Sequence, residues 1–366
     1  MRKSTRAISS LLLAAAVAMS ATACGSSAKT ETTAAPAAES TAAGETTAET
    51  KTEATKIDTL SIGFVPSRDA EAIITATEPL KNMLIEELAK SGYEVGNVDI
   101  TVGTSFEAVG EALASGSLDI GFVSGGTYVQ YADETTPILT ATRGALSKDF
   151  DNAKDWNDGK STDRVDDQVT YYKALIIAGP SAKGQELAAK VNAGEELTWE
   201  DLDGARWAVG NTSSNAGYVY PCLMLNNKYG KMITDLSNVT PGTAYATAAA
   251  QLAAEQIDVM CGYADLRDDY ADKWTTEMGR SASIWEETNV IGVSENIYND
   301  CVIASNSSKN VTDDFKAAFQ EAMMNIASTD AGKEVISIYS HEGYQIAQAS
   351  DYEGTKAAQE LLKSLN

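Results

Sequence analysis

Histidine occurs once in this chain of 366 residues, at position 341. A Ser-His-Asp triad would depend on that one ring, and no G-x-S-x-G elbow accompanies it. There is no H-E-x-x-H and no C-x-x-C, so one imidazole and scattered thiols leave no zinc ligand set. A calcium loop fails at residues 155–159: with Gly159 in its sixth position, Lys154 and Trp156 fall where carboxylates are needed. Nothing selects a carboxylate pair for glycoside hydrolysis. The five Trp show no convergence of the kind a sugar site wants, and the repeated β modules of an adhesive surface protein are absent. Positive charge is scarce too: 28 Lys and Arg face 52 Asp and Glu, a net charge of −24, which argues against nucleic acid as a partner. No catalytic residue, cofactor or metal is expected. Any anion site must draw on helix-start dipoles and backbone N–H groups rather than on net charge.

The first residues read as an export signal. Arg2, Lys3 and Arg6 form a charged region, residues 11–19 an apolar core, and Ala21, Thr22 and Ala23 a small-residue cleavage zone. Cys24 follows at once, then Gly25 and Ser26. This arrangement resembles a bacterial lipobox, with Ala21 where the motif usually has Leu, and implies that Cys24 is the lipidated first residue of the mature protein. Residues 26–56 are mostly Thr, Ala, Glu and Ser with one Pro, too little apolar surface to offset ordering entropy. The expected plan is a signal at 1–23 and a lipid-anchored tether at 24–56. It holds a globular part outside the cytoplasm, at the membrane surface. No later run is long and apolar enough to span a bilayer. For Cys222, Cys261 and Cys301, spacing leaves open one disulfide among them or three buried free thiols.

What the chain does have is an internal echo. Residues 111–123 and 250–262 align without a gap at an offset of 139: Leu113 with Leu252, Ala114 with Ala253, Asp119 with Asp258. An apolar run follows each Asp, so each copy reads as a helix end, a polar turn and a buried strand. Each is also preceded by an apolar strand that runs into a loop and a helical pattern, at residues 60–65 and 207–210. The spacing predicts helices over 72–90, 106–114, 218–228 and 244–254, a helix capped near Thr312 with a Phe315, Phe319, Met323, Ile326 stripe, and a last helix over 356–365. Alternating strands and helices predict an α/β fold of two lobes, each a mostly parallel sheet flanked by helices. Lobe 1 is expected at 57–178 and 299–366, lobe 2 at 179–298. Residues 175–178 and 302–304 are expected as a two-strand hinge.

Ligands of open α/β sheets sit beyond the carboxyl ends of strands. Three loops meet that description: residues 66–69, 124–128 and 211–218, rich in Ser, Thr, Gly and Asn. Each offers free N–H groups at a helix start, an anion cradle, though each alone could be only a helix cap.

The stretches IGFVPSRDAE, EALASGSLDIGFVSGGTY, LDGARWAVGNTSSNAGYVYP and the closing FKAAFQ…QASDY resemble the phosphate/phosphite/phosphonate substrate-binding lipoproteins of ABC transporters, over residues 60–352. That resemblance implies a type II periplasmic-binding-protein-like fold and capture of a small phosphorus oxyanion between the lobes. It implies permease and ATPase subunits as partners, and a monomer is expected. It also implies that hydroxyls and N–H groups of the Ser-rich loop hold the oxyanion and that Tyr128 lines the cleft. The family often has Ser-Thr-Ser-Gly before a Tyr. Here, with Gly217 as that Gly, the preceding residues are Ser214, Asn215 and Ala216, and a shifted register uses Thr212, Ser213 and Ser214. Ser67, Thr127, Tyr172, Tyr263 and Asp265 complete the candidates. Asp265 would meet a ligand ammonium or a P–OH proton, or it is a surface carboxylate among Arg267, Asp268 and Asp269.

Cys24→Ala should release the protein into the medium, as followed by fractionation and blotting; unchanged membrane retention would rule out the lipid anchor.

Overall fold

Asp119 and Asp258, the carboxylates that define the repeat, make the same bonds in two different sheets. Asp119 accepts the backbone N–H of Ser61 at 2.7 Å, and its own N–H donates to the Ser61 carbonyl at 2.9 Å. Asp258 accepts the N–H of Arg206 at 2.7 Å and donates to its carbonyl at 2.8 Å. Each therefore fastens the strand it opens, Ile120–Val123 or Val259–Tyr263, to a parallel neighbour, Leu60–Phe64 or Trp207–Ala208. A serine three residues beyond the adjacent antiparallel strand completes each seam: Ser308 donates to Asp119, and Ser181 to Asp258 at 2.7 Å.

This computed structural model describes residues 54–67 and 69–364, all within one unit, Thr52–Asn366. The expected signal, Cys24 and the tether up to residue 53 lie outside the described residues. The last tether positions do not follow the expectation: Thr55–Ile57 is a strand paired in parallel with Tyr93–Val95. Ile57 is buried there, the one large apolar side chain in reach.

The first sheet runs Gly343–Ile346, Thr135–Leu146, Cys301–Ser305, Ile120–Val123, Leu60–Phe64, Val98–Val102, and Arg164–Val169 also pairs with Thr135–Leu146. The second runs Asn289–Val293, Ala174–Ala178, Val259–Tyr263, Trp207–Ala208, Val239–Thr240. In each, three adjacent strands pair in parallel and the remaining pairings are antiparallel, so the two-lobed α/β architecture holds with mixed sheets. Five positions of the two orders correspond one to one, which is the repeat seen in three dimensions.

Helices cover the sheets as their periodicity requires. Asp69 caps Ala70–Lys90, accepting the Ala72 N–H at 2.9 Å, and Ile73, Leu80, Leu84 and Leu88 face the core. Thr312 caps Asp313–Ser328 through the Phe315 N–H at 3.1 Å, and the expected stripe of Phe315, Phe319, Met323 and Ile326 is buried. Ser105 caps Phe106–Ala114 in the same manner. All three described cysteines, Cys222, Cys261 and Cys301, are buried free thiols, and burial pushes each above its ordinary pKa.

The lobe junction differs from the expectation. Residues 175–178 and 302–304 lie in the middle of separate sheets, so Ala174–Ala178 belongs to lobe 2 and the expected boundary at 178 falls one strand late. The segments that pair at the crossing come just before each: Tyr171–Tyr172 with Ile297–Tyr298, antiparallel. The last helix, Glu353–Ser364, is a further connection. Gln359 Nε2 donates to the Gly126 carbonyl at 2.9 Å, Thr355 pairs with the Tyr220 hydroxyl at 3.1 Å, and Leu361 and Leu362 pack on lobe 2 residues. Residues 149–167 bury Trp156 and enter the strand Arg164–Val169. His341 precedes the strand Gly343–Ile346.

Burial raises the Asp258 carboxyl, but bonds from Arg206 and Ser181 outweigh that and leave it below the ordinary Asp range. Its stabilisation is complete at neutral pH and is lost as pH falls through that lowered value. Asp258→Ala should cost about 3 kcal/mol in urea unfolding, since the Arg206 N–H loses its acceptor. A loss under about 1 kcal/mol would show that the seam carries little.

Candidate binding cleft

The parallel halves of both sheets point their carboxyl ends at one cleft of about 710 Å³ between the lobes. Lobe 1 contributes Ser124–Gly126 after Ile120–Val123, residues 141–144 at the end of the long strand Thr135–Leu146, and the neighbouring Asp300 and His341. Lobe 2 contributes Ser213, Asn215 and Tyr220, and the crossing strands supply Tyr172 and Tyr298. A side chamber of about 410 Å³ shares Arg143, Arg164, Tyr172 and Asn215 with the cleft and adds Ser214, Tyr263 and Asp265. Another cavity, about 700 Å³, lies beside the lobe 2 sheet; its wall mixes Leu197, Leu223, Met224 and Ile291 with charged residues such as Asp151, Glu195, Lys228 and Glu295.

The cleft holds two arginines that sequence reasoning missed. Arg143 is half-buried, its guanidinium 5.0 Å above the Tyr172 ring and 3.6 Å from Asp265. Arg164 reaches Asp265 at 2.8 Å and Asp269 at 3.2 Å, joining a lobe 1 strand to lobe 2. Asp265 is 3% exposed, so it is neither a surface carboxylate nor open to a ligand ammonium without displacing an arginine. Both arginines sit on strands that hydrophobic periodicity did not mark. An arginine within an acidic stretch was the one available signal.

The other candidates divide by position. Tyr172, Ser213 and Asn215 line the main cleft. Burial pushes the Tyr172 phenol up to about 12, against the opposing Asn215 bond and Arg143, so it stays protonated and can donate. Ser214 caps the turn Asn215–Val219, accepting the Gly217 N–H at 3.1 Å, and pairs with the Tyr245 hydroxyl at 3.0 Å. A Cβ on Gly217 would stand 2.8 Å from that serine oxygen, which accounts for the glycine. Tyr263 lines the side chamber, but its hydroxyl donates to Asp269 at 2.7 Å.

Four candidates stand outside the cleft. Thr127 is buried and pairs with Ser124 at 3.0 Å; Tyr128 packs edge-on against Tyr352 with centroids 5.1 Å apart. Tyr128 faces the core rather than the ligand space because that T-shaped contact buries its ring. Ser67 and Thr212 are exposed at loop positions away from the lining. Tyr339 lines the cleft and donates to the Val65 carbonyl at 2.7 Å. Among the described residues no cluster of His, Cys, Asp and Glu could hold a metal ion, and no helix is long and apolar enough to cross a membrane.

Residues 62–352 match the family model of the phosphonate periplasmic substrate-binding proteins of ABC transporters. The chain belongs to this family. It is a non-enzymatic, extracytoplasmic substrate-binding protein, and its family implies a small ligand and the permease and ATPase components as partners. Among solved structures, protein Mh-p37 of Mycoplasma hyorhinis is 12% identical with a TM-score of 0.55, over 84% of this binding protein and 99% of that chain. XAC2383 from Xanthomonas citri bound to ATP is 11% identical at 0.52, over 85% and 100%. PhnD1 from Prochlorococcus marinus in complex with methylphosphonate is 13% identical at 0.47, over 84% and 98%. The first two show the shared fold. No curated protein matches the sequence.

Removing the cross-lobe ion pair should open the binding protein. Arg164 is half exposed, so Arg164→Ala should lose about 1 kcal/mol and shift the open-to-closed ratio about fivefold. Solution scattering of the unliganded protein should then report a larger radius of gyration. An unchanged profile would mean that the bridge does not hold the lobes.

Proposed function

We propose that this protein captures a small phosphorus oxyanion, a phosphonate, phosphite or phosphate, in the interlobe cleft and delivers it to the permease. The observation that carries this reading is Arg143: a half-buried guanidinium stacked on Tyr172, in a cleft shared by Ser124, Ser213 and Asn215. In a chain of net charge −24, it concentrates positive potential and N–H and hydroxyl donors where two lobes meet. Donors from both lobes bind the closed form more tightly than the open one, and that difference drives closure. On this reading the protein acts as a monomer, held to the membrane through lipid-modified Cys24 and its tether. A second reading, another small solute, draws support from Asp300 and Glu342, carboxylates on the cleft wall that would suit a ligand carrying positive charge as well.

Calorimetry with methylphosphonate, phosphite, phosphate, sulfate and glucose tests this. At least one phosphorus anion should bind, and Arg143→Ala should weaken it roughly ten- to a hundredfold, the worth of a hydrogen bond to a charged group. Tight binding of glucose with none of the phosphorus anions would overturn the proposal.

A further inference from the structure

The single histidine faces the cleft with one ring nitrogen unmatched. His341 is 9% exposed, and its buried Nε2 has no hydrogen-bond partner among the described residues. The ring is fixed from two sides: Tyr339 lies 5.7 Å away, tilted, and Tyr344 packs edge-on at 5.6 Å. Nδ1 is 3.1 Å from the Tyr344 hydroxyl. Among the described residues that buried hydroxyl has no other hydrogen-bond partner, so we assign it as the donor to Nδ1, which puts the imidazole proton on Nε2. Nε2–H then points toward Asp300 Oδ2, 3.7 Å off, too far for a hydrogen bond. Asp300 is itself held in place, its carbonyl accepting the Ala141 N–H at 2.9 Å. Glu342 is engaged elsewhere, accepting from Gln168 at 2.8 Å. Gln359, which also lines the cleft, has a second buried polar atom, Oε1, without a partner among the described residues. Buried donors are almost always matched, so the ligand is the natural partner of a fixed one that borders the binding space.

A donor beside a carboxylate accepts few chemistries. A bare oxyanion takes the Nε2–H bond but is repelled by Asp300. An ammonium satisfies Asp300 but has nothing to accept from Nε2–H. A hydroxyl does both, accepting from His341 and donating to Asp300. We propose that His341, acting with Asp300, is a specificity-determining residue of the cleft that selects ligands bearing a hydroxyl, on the organic body or as P–OH on the phosphorus. This rests on the oxyanion reading above and deepens it.

Because the chain has one histidine, a tag-free sample labelled with ¹⁵N-histidine gives one pair of imidazole nitrogens without any assignment problem. The unliganded spectrum should show the Nε2–H tautomer, and saturation with methylphosphonate or hydroxymethylphosphonate should move the Nε2 resonance. A spectrum unchanged at saturation overturns the proposal. Calorimetry of His341→Phe should show a loss of about tenfold. A loss confined to hydroxymethylphosphonate assigns the hydroxyl to the organic body; an equal loss for both assigns it to P–OH. His341→Gln, which returns an N–H near the Nε2 position, should recover most of the affinity, and it separates lost recognition from lost folding if the Phe variant melts early. Native affinity for both probes in a folded His341→Phe overturns this proposal alone. Failure of the native protein to bind either probe or any phosphorus anion overturns the oxyanion reading and this one with it.

Discussion

A buried carboxylate that accepts the first N–H of a neighbouring strand sets the geometry of each lobe. Asp119 and Asp258 fix where parallel strands begin, and so fix where they end. Their ends make the rims of the cleft. Each aspartate also bonds a serine beyond the adjacent antiparallel strand, so one side chain ties together three stretches of chain. With both lobes built on the same seam, their rims face each other as near-equivalents, and a ligand between them meets loops of similar kind from either side.

The electrostatics of the cleft follow from scarcity. Two arginines are concentrated there and both already touch Asp265. On the oxyanion reading proposed above, an incoming anion enters a site whose positive charge is preorganised by protein carboxylates, and it must share or displace them. Aiming the guanidinium groups this way avoids leaving them to wander, at a cost in affinity for weakly charged ligands.

Much of the fold was legible because its signals are local. The Asp-centred repeat, the Thr312 cap and the Phe315–Phe319–Met323 stripe are patterns of spacing, and spacing survives in one dimension. The site was less legible for a physical reason. Arg143 and Arg164 lie on the paired strands Thr135–Leu146 and Arg164–Val169, the second of them mostly polar and exposed, so no apolar alternation marked it. Tyr128 was placed in the cleft through a family resemblance, yet edge-on packing with Tyr352 turns it inward, a contact between residues more than two hundred positions apart in the sequence. The crossing point was missed by a few residues because strands of two residues, Tyr171–Tyr172 and Ile297–Tyr298, are too short to show any period.

The last helix alters what kind of motion the molecule can make. Two thin strands alone would bend freely, through a continuum of angles. Glu353–Ser364 lies against helix Gly125–Gln130 of one lobe while Ala358, Leu361 and Leu362 nest among lobe 2 side chains. Lobe movement must therefore slide packed side chains past one another, which makes it shear as much as hinge. Close-packed surfaces interlock in a few registers and resist positions between them. The protein should thus occupy a small set of discrete openings, which gives a docking permease well-separated shapes to tell apart.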